Sequence, residues 1–182
     1  MSFSSSPELG SANSNGTAFG TFGATFQRFN VSGTVMFLSD IGDQSINLQA
    51  QYIPAAGSKI VGSVGVQDIE GGGGSAGEGF PADDGRSSRS FFGVATYRID
   101  TTRGPIFLSG GIGTRRFKNG FASVSHQIAG PLRFYAEFDG FDFNEGFLLS
   151  FKTGQAAHSP ILYAGIAMIR SQYMTLTAGI GF

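Results

Sequence analysis

The feature that most constrains this chain is a two-residue hydrophobic period that runs through most of its length. In the stretch 44–53, Ile46, Leu48, Ala50 and Tyr52 alternate with Ser45, Asn47, Gln49 and Gln51. Leu132, Phe134, Ala136 and Phe138 alternate in the same way with Arg133, Tyr135, Glu137 and Asp139. Near the end, Met174, Leu176, Ala178, Ile180 and Phe182 alternate with Thr175, Thr177, Gly179 and Gly181. Side chains of a strand point to opposite faces in turn, whereas a helix would scatter these residues around its axis. Weaker alternation covers 17–29, 34–39, 58–67, 88–99, 106–114, 120–128, 145–152 and 160–169, which makes eleven candidate strands.

The links between them carry turn chemistry: Asp40-Ile41-Gly42-Asp43, Pro54-Ala55-Ala56-Gly57, Lys118-Asn119-Gly120, Gly130-Pro131 and residues 140–144. Short links favour antiparallel hairpins in an up-and-down order. One stretch is different. Residues 68–87 contain Gly71-Gly72-Gly73-Gly74-Ser75, Pro81 and Asp83-Asp84-Gly85 and read as one long surface loop. The serine-rich residues 1–15 read as a disordered N-terminal segment, lacking the basic and apolar regions of an export leader, and residues 16–182 as one barrel.

Composition then limits the chemistry. Without cysteine the chain has no disulfide, cysteine zinc site or cysteine nucleophile, and a net charge of −1 gives no attraction for nucleic acid. No apolar run reaches the ~18–20 residues of a spanning helix. Charged residues are only 14 % of the chain, against about 25 % in ordinary soluble domains. A closed sheet has two possible solvents. In water its apolar face points inward, and in a membrane that face points out while charge is tolerated in the lumen. Eleven strands, about half apolar, would overfill a small soluble barrel, and the other face is too poor in Lys and Glu for a soluble surface.

The expected fold is therefore an all-β, antiparallel, up-and-down transmembrane β-barrel of about 10–12 strands, and the alternative is a soluble β-barrel binding an apolar small molecule inside. Bilayer barrels must close, and bacterial ones close with even strand numbers. A twelve-strand plan is expected, with its first strand missing from the chain.

On this reading the ionisable face is a lumen network in which Arg28, Arg98 and Arg133 face Glu137, Asp139 and Glu145, giving either a polar plug or a small charged pore. Asp142 and Asn144 are expected to make Asx turns. The spacing of Asp139 to Gly146 departs from a calcium loop. Arg115-Arg116 with Lys118 reads as a solvated turn ahead of a grip on an anionic sugar, a lipopolysaccharide phosphate or a lumen carboxylate. His126 falls on the lipid or interface face and His158 in a loop, and no nucleophile motif accompanies either. No catalytic residue, metal ligand or cofactor site is assigned.

The last ten residues resemble the closing strand of bacterial outer-membrane barrels: Tyr173, Met174, Leu176, Ala178, Ile180 and a terminal Phe182. In that class this segment is the signal read by the barrel-assembly machinery. The run from Tyr135 to Phe151, with Ala136-Glu137-Phe138-Asp139-Gly140 and Asp142-Phe143-Asn144-Glu145-Gly146, resembles the hairpin of YjbH-like barrel proteins of Gram-negative bacteria and cyanobacteria. The resemblance extends to Phe92-Gly93-Val94-Ala95-Thr96 and to residues 110–117. It implies an outer-membrane location, outer-membrane lipid and the assembly machinery as partners, and a structural or transport role linked to exopolysaccharide, with a polysaccharide as a further partner.

Overall fold

Twelve strands, joined in chain order, close on themselves in a computed structural model that describes residues 2–7, 14–38, 43–71, 89–155 and 159–181. They are β1 (Ser2–Pro7), β2 (Ser14–Phe26), β3 (Phe29–Leu38), β4 (Asp43–Tyr52), β5 (Ile60–Gln67), β6 (Ser90–Ile99), β7 (Ile106–Gly113), β8 (Phe121–Ala129), β9 (Leu132–Phe138), β10 (Phe143–Lys152), β11 (Ile161–Ile169) and β12 (Tyr173–Gly181). Every neighbouring pair is antiparallel, and β1 closes the barrel by pairing with β12, Ser2 opposite Gly179 and Ser5 opposite Leu176. No helix among the described residues is long and apolar enough to cross a membrane, which leaves strands as the elements that could.

Two differences from the sequence reading have physical causes. The first strand, expected to be missing, is present: it is β1, inside the segment expected to be disordered. Its sequence, Ser-Phe-Ser-Ser-Ser-Pro, has too few apolar residues to show a period, and pairing with β12 and β2 makes it a strand. The first hairpin turns at Gln27-Arg28, where neither Gly nor Pro announces a turn. Gln27 takes a left-handed φ of 52°, and Ile53 N–H donates to the Arg28 carbonyl. The glycine-rich 72–87 portion of the long loop, His158 and Phe182 lie outside the described residues.

The register carries two faces around the barrel. One row runs Val61, Thr96, Ser109, Ser123, Glu137, Asn144, each opposite the next. The adjacent row runs Gly62, Ala95, Gly110, Ala122, Phe138, Phe143. The second face is the outer one. Phe22, Val64, Ile112 and Phe143 are each more than 60 % exposed, and Leu108, Phe147, Ile166 and Leu176 stand out in the same way. Among the described residues Ala167 is the one buried hydrophobic side chain, while Ser45, Asp68 and Ser90 are fully buried. This is the inverse of a soluble fold, in which burial of apolar surface is the main stabilising term.

Aromatic rings mark both margins of the apolar band. Phe26, Phe29, Tyr52, Tyr97 and Phe151 lie toward one end, with Phe29 and Tyr52 5.1 Å apart, and Phe37, Phe91 and Phe143 toward the other. Such girdles sit at the two interfaces of a bilayer.

Candidate functional site: the lumen and its two mouths

The inner face is mostly neutral and polar. Hydroxyls and amides bond across strands, Thr21 Oγ1 to Thr34 Oγ1 at 2.9 Å, Asn30 Nδ2 to Gln51 Oε1 at 3.0 Å and Thr96 Oγ1 to Ser109 Oγ at 2.9 Å. Large rings share this face because small residues make room for them. Phe92 leans over Gly65 and Phe121 over Gly111, each occupying the space that a Cβ on the glycine would need. Folding the rings against the wall leaves two adjoining cavities on the β4–β9 side. One, of about 510 Å³, opens toward the β7–β8 loop and includes Gln49, Ser63, Ser123 and Glu137. The other, of about 310 Å³, includes Lys59, Arg98 and Phe107, and Gln51 and Thr96 belong to both.

The two mouths differ in charge. At the end carrying the β2–β3, β4–β5, β6–β7, β8–β9 and β10–β11 connections, the turn side, the described residues bring Arg28, Lys59, Arg98, Arg103, Arg133 and Lys152 against one carboxylate, Asp100. Arg98 Nε sits 2.7 Å from Asp100 in an exposed pair, and the Arg133 guanidinium lies 5.6 Å over the Phe107 ring.

At the other end, the loop side, opposite charges are matched. Thr114 leads into a one-turn 3₁₀ helix, Arg115–Phe117, entered through a left-handed Arg115. This turn brings Arg116 to 2.6 Å from Asp139 in a partly buried pair and over the Phe141 ring at 5.1 Å. It also drops Phe117 onto Phe92 and Phe121, at 5.0 and 5.2 Å. Burial opposes ionisation of Asp139, but the N–H groups of Asp142 and Phe141 and the Arg116 guanidinium more than offset it, so the carboxyl is held below its ordinary value. Arg170 Nε pairs with Asp142 at 3.3 Å, while Asn144 donates to Glu137 and accepts the Arg170 N–H.

The six charges expected to form one network are therefore divided. Arg133 and Glu137 do face inward. Arg98 is inward but pairs with Asp100. Arg28 is in an exposed turn, not a strand. Asp139 pairs with Arg116, a residue of the basic cluster read as a solvated turn. Glu145 lies opposite Ala136 and Met168 on the outer face, its Oε2 3.4 Å from Ser171 Oγ at the rim. The four-residue turn 139–142 exchanges the inward parity between β9 and β10, so Glu145 is in phase with the outward Phe143 and Phe147 rather than with Glu137. The Asx turn forms at Asp139 rather than at Asp142 or Asn144.

Of the closing-strand residues, Met174, Leu176, Ala178 and Ile180 share the outer face, with Thr175 and Thr177 on the inner one; Phe182 and the side chain of Tyr173 lie outside the described residues. His126 is in register with Ile106 and Phe134 on the outer face, and its Nε2 is buried without a hydrogen-bond partner. Sequence reasoning passed over Phe92, Phe117 and Phe121. The signal was present for two of them: Phe92 falls in phase with Ser90, Thr96 and Arg98, and Phe121 with Ser123, Ser125 and Gln127.

No protein-family model matches the chain, and no curated protein matches it. Among solved structures, it superposes on a KdgM porin with a TM-score of 0.62 at 11 % identity, covering 100 % of this chain and 98 % of that one. It superposes equally on a KdgM porin in complex with disordered oligogalacturonate, with a TM-score of 0.63 at 12 % identity and the same coverage. At that identity the likeness is one of fold alone: this chain closes into the same kind of antiparallel barrel as those proteins.

Proposed function

We propose that this protein is a small porin of the bacterial outer membrane, passing polar solutes through its lumen and carrying out no catalysis. The observation that carries the reading is the inverted sidedness: a continuous apolar exterior between aromatic girdles around a polar, partly hollow interior. Met174, Leu176, Ala178, Ile180 and Phe182, with Tyr173, serve as the segment read by the barrel-assembly machinery, and outer-membrane lipid covers the apolar band. The unmatched cations of the turn-side mouth favour anions in the small-ion current. A saccharide is the favoured solute class. One finding supports it: a superposing porin is in complex with disordered oligogalacturonate.

The test is refolding into detergent followed by reconstitution in a planar bilayer. A barrel that migrates faster before boiling than after, and gives unitary current steps, supports the porin. Monomeric solubility in plain buffer favours the soluble, ligand-binding alternative, and a folded barrel without current steps at any voltage removes the channel.

A further inference from the structure

Resting on the reading of a water-filled lumen, we propose that the loop-side cavity is a binding subsite for an uncharged saccharide. Pyranose rings present a face of C–H bonds and an edge of hydroxyls, so a site for them needs an apolar aromatic wall beside planar hydrogen-bonding groups. Both are present. Phe92, Phe117 and Phe121 form a corner, with centroid separations of 5.0, 5.2 and 6.3 Å and tilted or edge-to-face planes. The rings are fixed in place: Phe92 and Phe121 rest on Gly65 and Gly111, and the Arg116–Asp139 pair anchors the turn that carries Phe117.

Amides and hydroxyls share the same cavity. Gln49 and Gln51 line it with Ser63 and Ser123, and Asn30 Nδ2 holds Gln51 Oε1, which leaves the Gln51 NH₂ group oriented as a donor. A cavity of about 510 Å³ is within the range of small-ligand sites.

The charges select against acidic sugars. Arg116 is matched by Asp139, so the cavity keeps one formal negative charge, Glu137, whose Oε1 accepts from Asn144 at 3.2 Å. The carboxylate of a uronate unit would meet a like charge at short range. The cations that would welcome it are at the opposite mouth.

The test is calorimetric titration of the barrel in a detergent that contains no sugar, using maltotriose, cellotriose and xylotriose as neutral probes and trigalacturonate as the acidic one. We expect saturable, weak binding of at least one neutral probe. Phe117→Ala should reduce it by tenfold or more, and the lipid-facing Ile112→Ala should leave it unchanged. Glu137→Gln should bring trigalacturonate up to the affinity of the neutral probes. The proposal is overturned if no neutral probe saturates, if Phe117→Ala binds like the parent, or if trigalacturonate binds the parent as tightly as the neutral probes. Current steps without neutral-probe binding sink this subsite and leave the porin standing. Binding without current steps does the reverse.

Discussion

The two mouths of the barrel use the same residue types in opposite ways. Among the described residues, six basic side chains on the turn side face a single carboxylate, in an exposed pair worth little to stability. Those charges act on the solution. On the loop side Arg116 and Arg170 each hold a carboxylate of the Asp139–Asp142 turn, and what the pore presents there is a shaped corner of aromatic rings. The contrast teaches that unmatched charge is left to act on whatever enters the lumen, while matched charge sets the shape the lumen offers.

The largest expected effect comes from erasing the first half of that contrast. Replacing Arg28, Lys59 and Arg98 with Gln together should lower the anion-to-cation permeability ratio several-fold at low salt, whereas removing the matched pair whole, Arg116→Gln with Asp139→Asn, should move it little. Reversal potentials across a salt gradient measure both, and equal shifts in the two variants would abolish the distinction between the mouths. Raising ionic strength should shrink the effect, since the Debye length falls from ~10 Å at 0.1 M to ~3 Å at 1 M.

A second experiment sharpens the contrast between the faces of one strand. Gly110 and Gly111 are neighbours, yet a methyl on the outward Gly110 meets nothing, while one on the inward Gly111 runs into the Phe121 ring and the Gly93 carbonyl. Gly111→Ala should cost ~1–3 kcal/mol through overcrowding, and Gly110→Ala should be neutral or mildly stabilising. Urea unfolding in detergent separates them, and equal stabilities would mean that the ring is not seated on the wall.

The smallest effect concerns pH. The fold holds the Asp139 carboxyl below its ordinary value of 3.8, so it favours the ionised form. Its contribution to loop closure is complete above that value and is lost only as pH falls through the lowered one. The amide proton shifts of Phe141 and Asp142 should therefore stay constant from neutral pH down to about 4 and move below it. In Asp139→Asn they should not respond. A transition near neutrality would remove Asp139 as the controlling group.

These contrasts were unevenly legible in the sequence. Sidedness was readable because it is a property of single strands: Leu132, Phe134, Leu176 and Ile180 need only the pleat to share a face with their kind. Closure was readable as a requirement, although Ser2–Pro7 has no hydrophobic period by which to find it. Charge pairing was not readable, because it depends on how parity passes through turns. Glu145 follows its in-phase partners Phe143 and Phe147 outward, Arg28 occupies a turn that has no glycine, and Arg116 reaches Asp139 only because Arg115 adopts a left-handed conformation.

The central claim is that the apolar face meets lipid and the polar face meets water. The chain has no cysteine, so single cysteines at Val64, Ile112 and Leu176, and at Gln49, Ser109 and Ser123, can each carry one spin label in proteoliposomes. The account predicts that labels at the first three positions relax with oxygen dissolved in the bilayer, and labels at the second three with a water-soluble nickel chelate. The opposite assignment, with Leu176 and Val64 answering to the chelate and Gln49 and Ser123 to oxygen, would contradict it.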